Sequence, residues 1–73
     1  MNYYIYIPET KRFVKKDVQY NFLFRNFHEA TIFFLKEDAN NFVKEIIDMD
    51  VSELIKLAQI ISEDEIIIKE IIE

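Results

Sequence analysis

A chain of 73 residues with a formal net charge of −5 makes one domain, and the absence of cysteine excludes disulfides and thiolate metal sites. A chain this short buries only about 60 to 65% of the surface its unfolded form exposes, so its stability needs a dense apolar core or association. The absence of glycine removes the GxGxxG dinucleotide loop, the Walker A loop and the GxSxG nucleophile elbow, which leaves no familiar backbone device for binding nucleotides or building an oxyanion hole.

The first element expected is a strand over Asn2 to Ile7, where Tyr3, Ile5 and Ile7 share one side and Tyr4 and Tyr6 the other. Pro8 ends it, Glu9 and Thr10 turn, and Arg12 to Lys16 return as a partner strand, giving a hairpin. From Asp17 to Phe27 two periods compete. Phe22, Phe24 and Tyr20 alternate, whereas Leu23 and Phe27 have helical spacing; extended structure leading into a strand over Ala30 to Leu35 is preferred. Across Lys36, Glu37 and Asp38 the period changes. Ala39, Phe42, Val43, Ile46 and Ile47 recur at the spacing of a helix that buries one stripe, starting near Glu37 or Asp38 and ending near Asp48.

A second helix is signalled by Asp50 and Glu53 as a capping pair, followed by Leu54, Leu57, Ala58 and Ile61, with fusion to the first helix left open. The tail from Glu65 to Glu73 is isoleucine-rich and reads as a closing strand, the alternative being a short helix capped by Ser62 with Glu65. The fold class expected is α+β: a small antiparallel sheet in the order β-β-(β)-α-α-β, with two helices packed on one face. Thirteen isoleucines and seven phenylalanines exceed what one face of such a layer hides, which points to a homodimer or higher homo-oligomer. Without glycine, positive φ falls to Asn21, Asn26, Asn40, Asn41 or an aspartate.

Charge is unevenly divided. Residues 1 to 28 carry five basic side chains against two acids, net +3, and residues 29 to 73 carry four lysines against twelve acids, net −8. The bland reading is that charges solvate the outer faces of amphipathic helices; the sharper one is that Glu45, Asp48, Asp50 and Glu53 present an acidic helical face to a basic partner. The alternative site is nucleic-acid-binding: Tyr4, Tyr6, Lys11, Arg12, Lys15 and Lys16 on the hairpin could stack bases and contact phosphates. Aromatic strand residues are more often core, lysines there guard an edge, and the overall charge opposes a phosphate backbone. His28 beside Glu29 could form an acid–base pair, but adjacent strand residues diverge and no nucleophile is spaced to use them. One histidine cannot assemble the usual zinc ligand sets, so no metal, cofactor or catalytic residue is expected, and the chain is not expected to be an enzyme. Tyr3 to Ile7 is too short for a signal or membrane segment, so a cytoplasmic location with no membrane partner is expected.

Ala30-Thr-Ile-Phe33, followed by Glu37-Asp38-Ala39 and Phe42, resembles short phage-encoded accessory proteins that combine an N-terminal hairpin, an AxxF strand, an acidic helix start and an Ile/Glu-rich closing strand. The resemblance covers Phe13 to Ile47, and the long stretch before Ala30 departs from it. It implies no shared site. Some members of that group inhibit host defence or host enzymes by stoichiometric binding, anti-CRISPR proteins among them. The function expected is therefore non-catalytic protein binding by a small phage or mobile-element inhibitor; a hairpin-based nucleic-acid-binding or regulatory module and an oligomerising structural protein are the alternatives.

Overall fold

The computed structural model describes residues 1–69 and is built around the four-stranded antiparallel sheet that the hairpin begins. Strands β1 (Tyr3–Ile7), β2 (Arg12–Asp17) and β3 (Asn21–Arg25) form a meander, and β4 (Gln59–Ser62) returns to the far side of β1, giving the spatial order β3-β2-β1-β4. Helix α1 (Lys36–Met49) makes the crossover to β4, and helix α2 (Glu63–Lys69) follows β4 directly. One 3-10 turn, Phe27–Glu29, lies between β3 and α1, and a second, Leu54–Leu57, between α1 and β4. The α+β class and the antiparallel sheet are as expected; the helix order is not, since a strand separates the two helices.

Tight turns without glycine need residues that tolerate positive φ. The turn between β1 and β2 places Lys11 at φ 56°, the turn between β2 and β3 places Asn21 at φ 71°, and α1 ends on Asp50 at φ 54°. Asn and Asp were anticipated because a short polar side chain eases this region; lysine was not. Asp17 shapes the second turn, its Oδ2 accepting from the backbone N–H of Gln19 (2.9 Å) and Tyr20 (2.8 Å).

Alternation along the strands divides the apolar side chains between both faces of the sheet. On one face Ile5, Ile7 and Val14 pack with Phe33 of the segment before α1, Ala39 and Ile46 of α1, and Ile55 of the second 3-10 turn. On the other, Tyr4, Phe13 and Ile61 pack with Ile66 of α2, with Phe27 and Tyr6 at the margin. The helices thus cover opposite faces and not one. Both faces are apolar because the registers Tyr6↔Phe13, Tyr4↔Ile61 and Ile5↔Ile60 align like with like.

The run expected to be a strand over Ala30 to Leu35 does something else. β1 and β2 pair only near their shared turn, at Tyr6↔Phe13 and Ile7↔Arg12, and residues 31–33 enter where the ladder stops. Phe33 exchanges backbone hydrogen bonds with Tyr3 (2.7 and 2.9 Å), Thr31 donates to the Val14 carbonyl (3.2 Å), and the Lys16 N–H donates to Thr31 Oγ1 (2.7 Å). The segment satisfies groups of both strands without becoming a full strand itself.

The helix expected from 51 to 61 is also replaced. The left-handed Asp50 stops α1, and the backbone of 59–62 fills the free edge of β1, so this segment and not the tail supplies the closing strand. Leu57, which the helical stripe would bury, is 47% exposed; Phe42, Val43 and Leu54 are half-buried; Ala39 and Ile46 are buried as their spacing requires, and Ile61 is buried from β4 and not from a helical stripe. The tail takes its helical alternative: Ser62 Oγ accepts from the Glu65 N–H (3.4 Å), and Glu63, Asp64 and Glu65 lie at the positive end of the helix dipole. Residues 70–73 of that tail lie outside the described residues.

Candidate interaction surface

Helix α1 buries the stripe through Ala39 and Ile46, so Glu45 and Asp48 necessarily face water. The four carboxylates expected to act together are not equivalent. Asp48 is on the exposed face of α1, Asp50 is its left-handed terminal residue, and Glu53 forms an ion pair with Lys56 (3.3 Å) at the entry to the second 3-10 turn. Glu45 stands on the flank of α1 that meets the end of β2, where it lines two adjoining clefts.

Those clefts share Lys16, Phe42 and Glu45. One, of about 450 Å³, is completed by Asp17, Val18, Asn21, Ile46 and Met49. The other, of about 320 Å³, is completed by Ile32, Phe33, Phe34, Asp38 and Asn41. Between them the Lys16 ammonium lies 5.1 Å from the centre of the Phe33 ring and 5.2 Å from that of Phe42. Phe34 is 75% exposed, and Val18, Ile32 and Met49 are also exposed, so large apolar side chains rim both clefts. Exposure of Ile32 and Phe34 was missed because the run Ile32–Leu35 reads as core; its one clue is that four consecutive apolar residues cannot all face the same side.

The hairpin residues are dispersed. Tyr4 is 4% exposed, with its ring edge-on to Phe13 (6.2 Å) and tilted against Phe27 (5.0 Å), so it has no face to offer a base. Burial, and then the negative charge of Glu63, raises its phenol above the ordinary value of 10.0, while a hydrogen bond with Asn2 opposes the shift. Tyr6 is half-buried against Phe13 at 5.1 Å. Lys11 belongs to the turn, and Arg12 opens β2. Lys15 and Lys16 point to opposite faces of the sheet, Lys16 toward α1.

His28 sits on an exposed 3-10 turn with its ring against Phe27 (5.8 Å), and Asn26 caps that turn, its Oδ1 accepting from the Glu29 backbone N–H (3.3 Å). Among the described residues no three histidine or carboxylate side chains converge to hold a metal ion. No described helix is long and apolar enough to cross a membrane. Comparison with protein-family models, with curated proteins and with solved structures yields no match for this chain.

Proposed function

We propose that this chain is a non-catalytic protein-binding module: a small phage or mobile-element inhibitor that engages a basic surface of a host protein, drawn from the host's defence or nucleic-acid-handling machinery. One observation carries the reading. Every Asp and Glu from Glu29 to Glu65 is exposed, and Lys56–Glu53 is the one ion pair among the described residues, so the side of the sheet covered by α1 and the second 3-10 turn is rich in unneutralised carboxylates. Such a field accelerates encounter with a cationic partner and rejects anionic ones. The exposed apolar side chains supply the desolvated anchors that charge alone does not. His28 lines neither cleft, which weighs against an acid–base role. The hairpin reading loses its stacking platform with Tyr4 in the core.

The test begins with stoichiometric capture of a partner by the full chain from bacterial lysate, identified by mass spectrometry. Association of the purified pair is then followed at low and moderate salt. Slower association on reversing Glu45, Asp48 and Asp50 to lysine, together with weakening by salt, is the expected result. Undiminished binding by the reversed variant would refute it. So would binding of a single-stranded oligonucleotide that is lost when Lys11, Arg12, Lys15 and Lys16 become glutamate.

A further inference from the structure

The two clefts beside α1 have matching chemistry. Each exposes two large apolar side chains, Val18 and Met49 in one and Ile32 and Phe34 in the other, and each carries two carboxylates, Asp17 with Glu45 and Asp38 with Glu45. Among the described residues Lys16 is the one cation lining either cleft, and its ammonium lies over the Phe33 and Phe42 rings and forms no ion pair with these acids. We propose that the paired clefts astride Lys16 and Phe42 dock a partner segment that alternates apolar and basic side chains, one apolar anchor entering each cleft while its basic neighbours meet Asp17, Glu45 and Asp38.

This inference rests on the protein-binding reading and moves its centre from Asp50 and Glu53 to the Glu45 flank. Charge complementarity selects the occupant. An acidic segment, a nucleic-acid backbone or an anionic lipid surface would bring negative charge against three carboxylates. A basic segment relieves their mutual repulsion and buries Phe34, an exposed aromatic of the kind that dominates binding energy.

A fluorescein-labelled peptide alternating arginine and leucine serves as the probe, with a peptide alternating arginine and serine as its polar control. Anisotropy is measured with the full chain and with Phe34→Ser, Glu45→Lys and Asp64→Lys variants. Asp64→Lys makes the same charge change as Glu45→Lys but on α2, across the sheet. The expected result is binding of the arginine–leucine peptide, about tenfold weaker for the polar control and on Phe34→Ser or Glu45→Lys, and little changed by Asp64→Lys. Phe34 is exposed, so unaltered circular dichroism confirms that Phe34→Ser keeps the fold. Equal weakening by Asp64→Lys and Glu45→Lys would overturn the docking site while leaving the acidic-surface reading intact. Failure of both peptides to bind would overturn the docking site and the acidic-surface reading together, and failure of the arginine–leucine peptide alone would overturn the docking site. Conversion of a dimer to a monomer by Phe34→Ser would show that a second copy fills the clefts, and would equally overturn the proposal.

Discussion

The Lys16 ammonium stands 5.2 Å from the centre of the Phe42 ring, so the end of β2 and the middle of α1 are joined by a cation resting on an aromatic face. Phe33, whose ring lies 5.9 Å from that of Phe42, shares the same cation. Because Phe42 is half-buried, Phe42→Ala is expected to cost about 2 kcal/mol, less than the about 3 to 5 kcal/mol that a core position would imply. A double-mutant cycle with Lys16→Met should return a coupling of about 0.5 to 1 kcal/mol in denaturant unfolding. A coupling of zero would show the contact to be energetically idle.

Ile46 and Leu57 make the complementary pair. Ile46 is buried between α1 and the sheet, so Ile46→Ala should cost about 2 to 5 kcal/mol and leave little folded protein. The half-exposed Leu57 should tolerate alanine within about 1 kcal/mol. Far-ultraviolet circular dichroism melts distinguish them; similar losses at both sites would contradict the placement of Leu57.

Lys11 adopts φ 56° in a turn that glycine would occupy at lower cost. Lys11→Gly is therefore expected to raise stability by about 0.5 kcal/mol, the relief of strain exceeding the added freedom of the unfolded chain. Lys11→Val should lower it by about 1 to 2 kcal/mol, since a β-branched side chain resists this region. Chemical denaturation midpoints of the three proteins should order as Gly above Lys above Val.

Stability should fall under alkaline conditions through Tyr4. Its phenol is raised by burial and by the charge of Glu63, so the folded state favours the neutral form. The contribution is fully present below the unfolded value of 10.0 and is lost as pH rises through the higher folded value. Melting temperatures from neutral to strongly alkaline pH should decline more steeply for the parent than for Tyr4→Phe. Parallel curves would remove Tyr4 as the cause.

Self-association is expected from the apolar side chains that the two-faced core leaves outside, including Val51 and Leu57 on the segment after α1. Sedimentation should give a mass above the monomer, reduced by Val51→Lys with Leu57→Lys and unaffected by Phe34→Ser. A monomer at tens-of-micromolar concentration, on the order used for such measurements, would refute the expectation.

By itself the sequence determined the elements whose evidence is local. Alternation of Tyr3, Ile5 and Ile7 with Tyr4 and Tyr6 makes a strand in any surroundings, and the spacing of Ala39, Phe42, Val43 and Ile46 makes a one-sided helix wherever it is placed. Asn21 was likewise readable as a positive-φ residue, because the side chain that eases that backbone is its own, whereas Asp50, read as the start of a second helix, instead ends α1 in the left-handed region. Tertiary structure alone decided which isoleucine-rich segment completes the sheet. Ile60 and Ile61 have no greater strand preference than the isoleucines after Glu65, yet they are the ones held opposite Ile5 and Tyr4. The clefts were hidden for the same reason: Lys16, Phe34, Phe42 and Glu45 come from a strand, a connecting segment and a helix, and no local period links them. Unpaired backbone on β1 and uncovered apolar area on both sheet faces are demands set by residues distant in the chain, so only the assembled sheet could choose how to meet them.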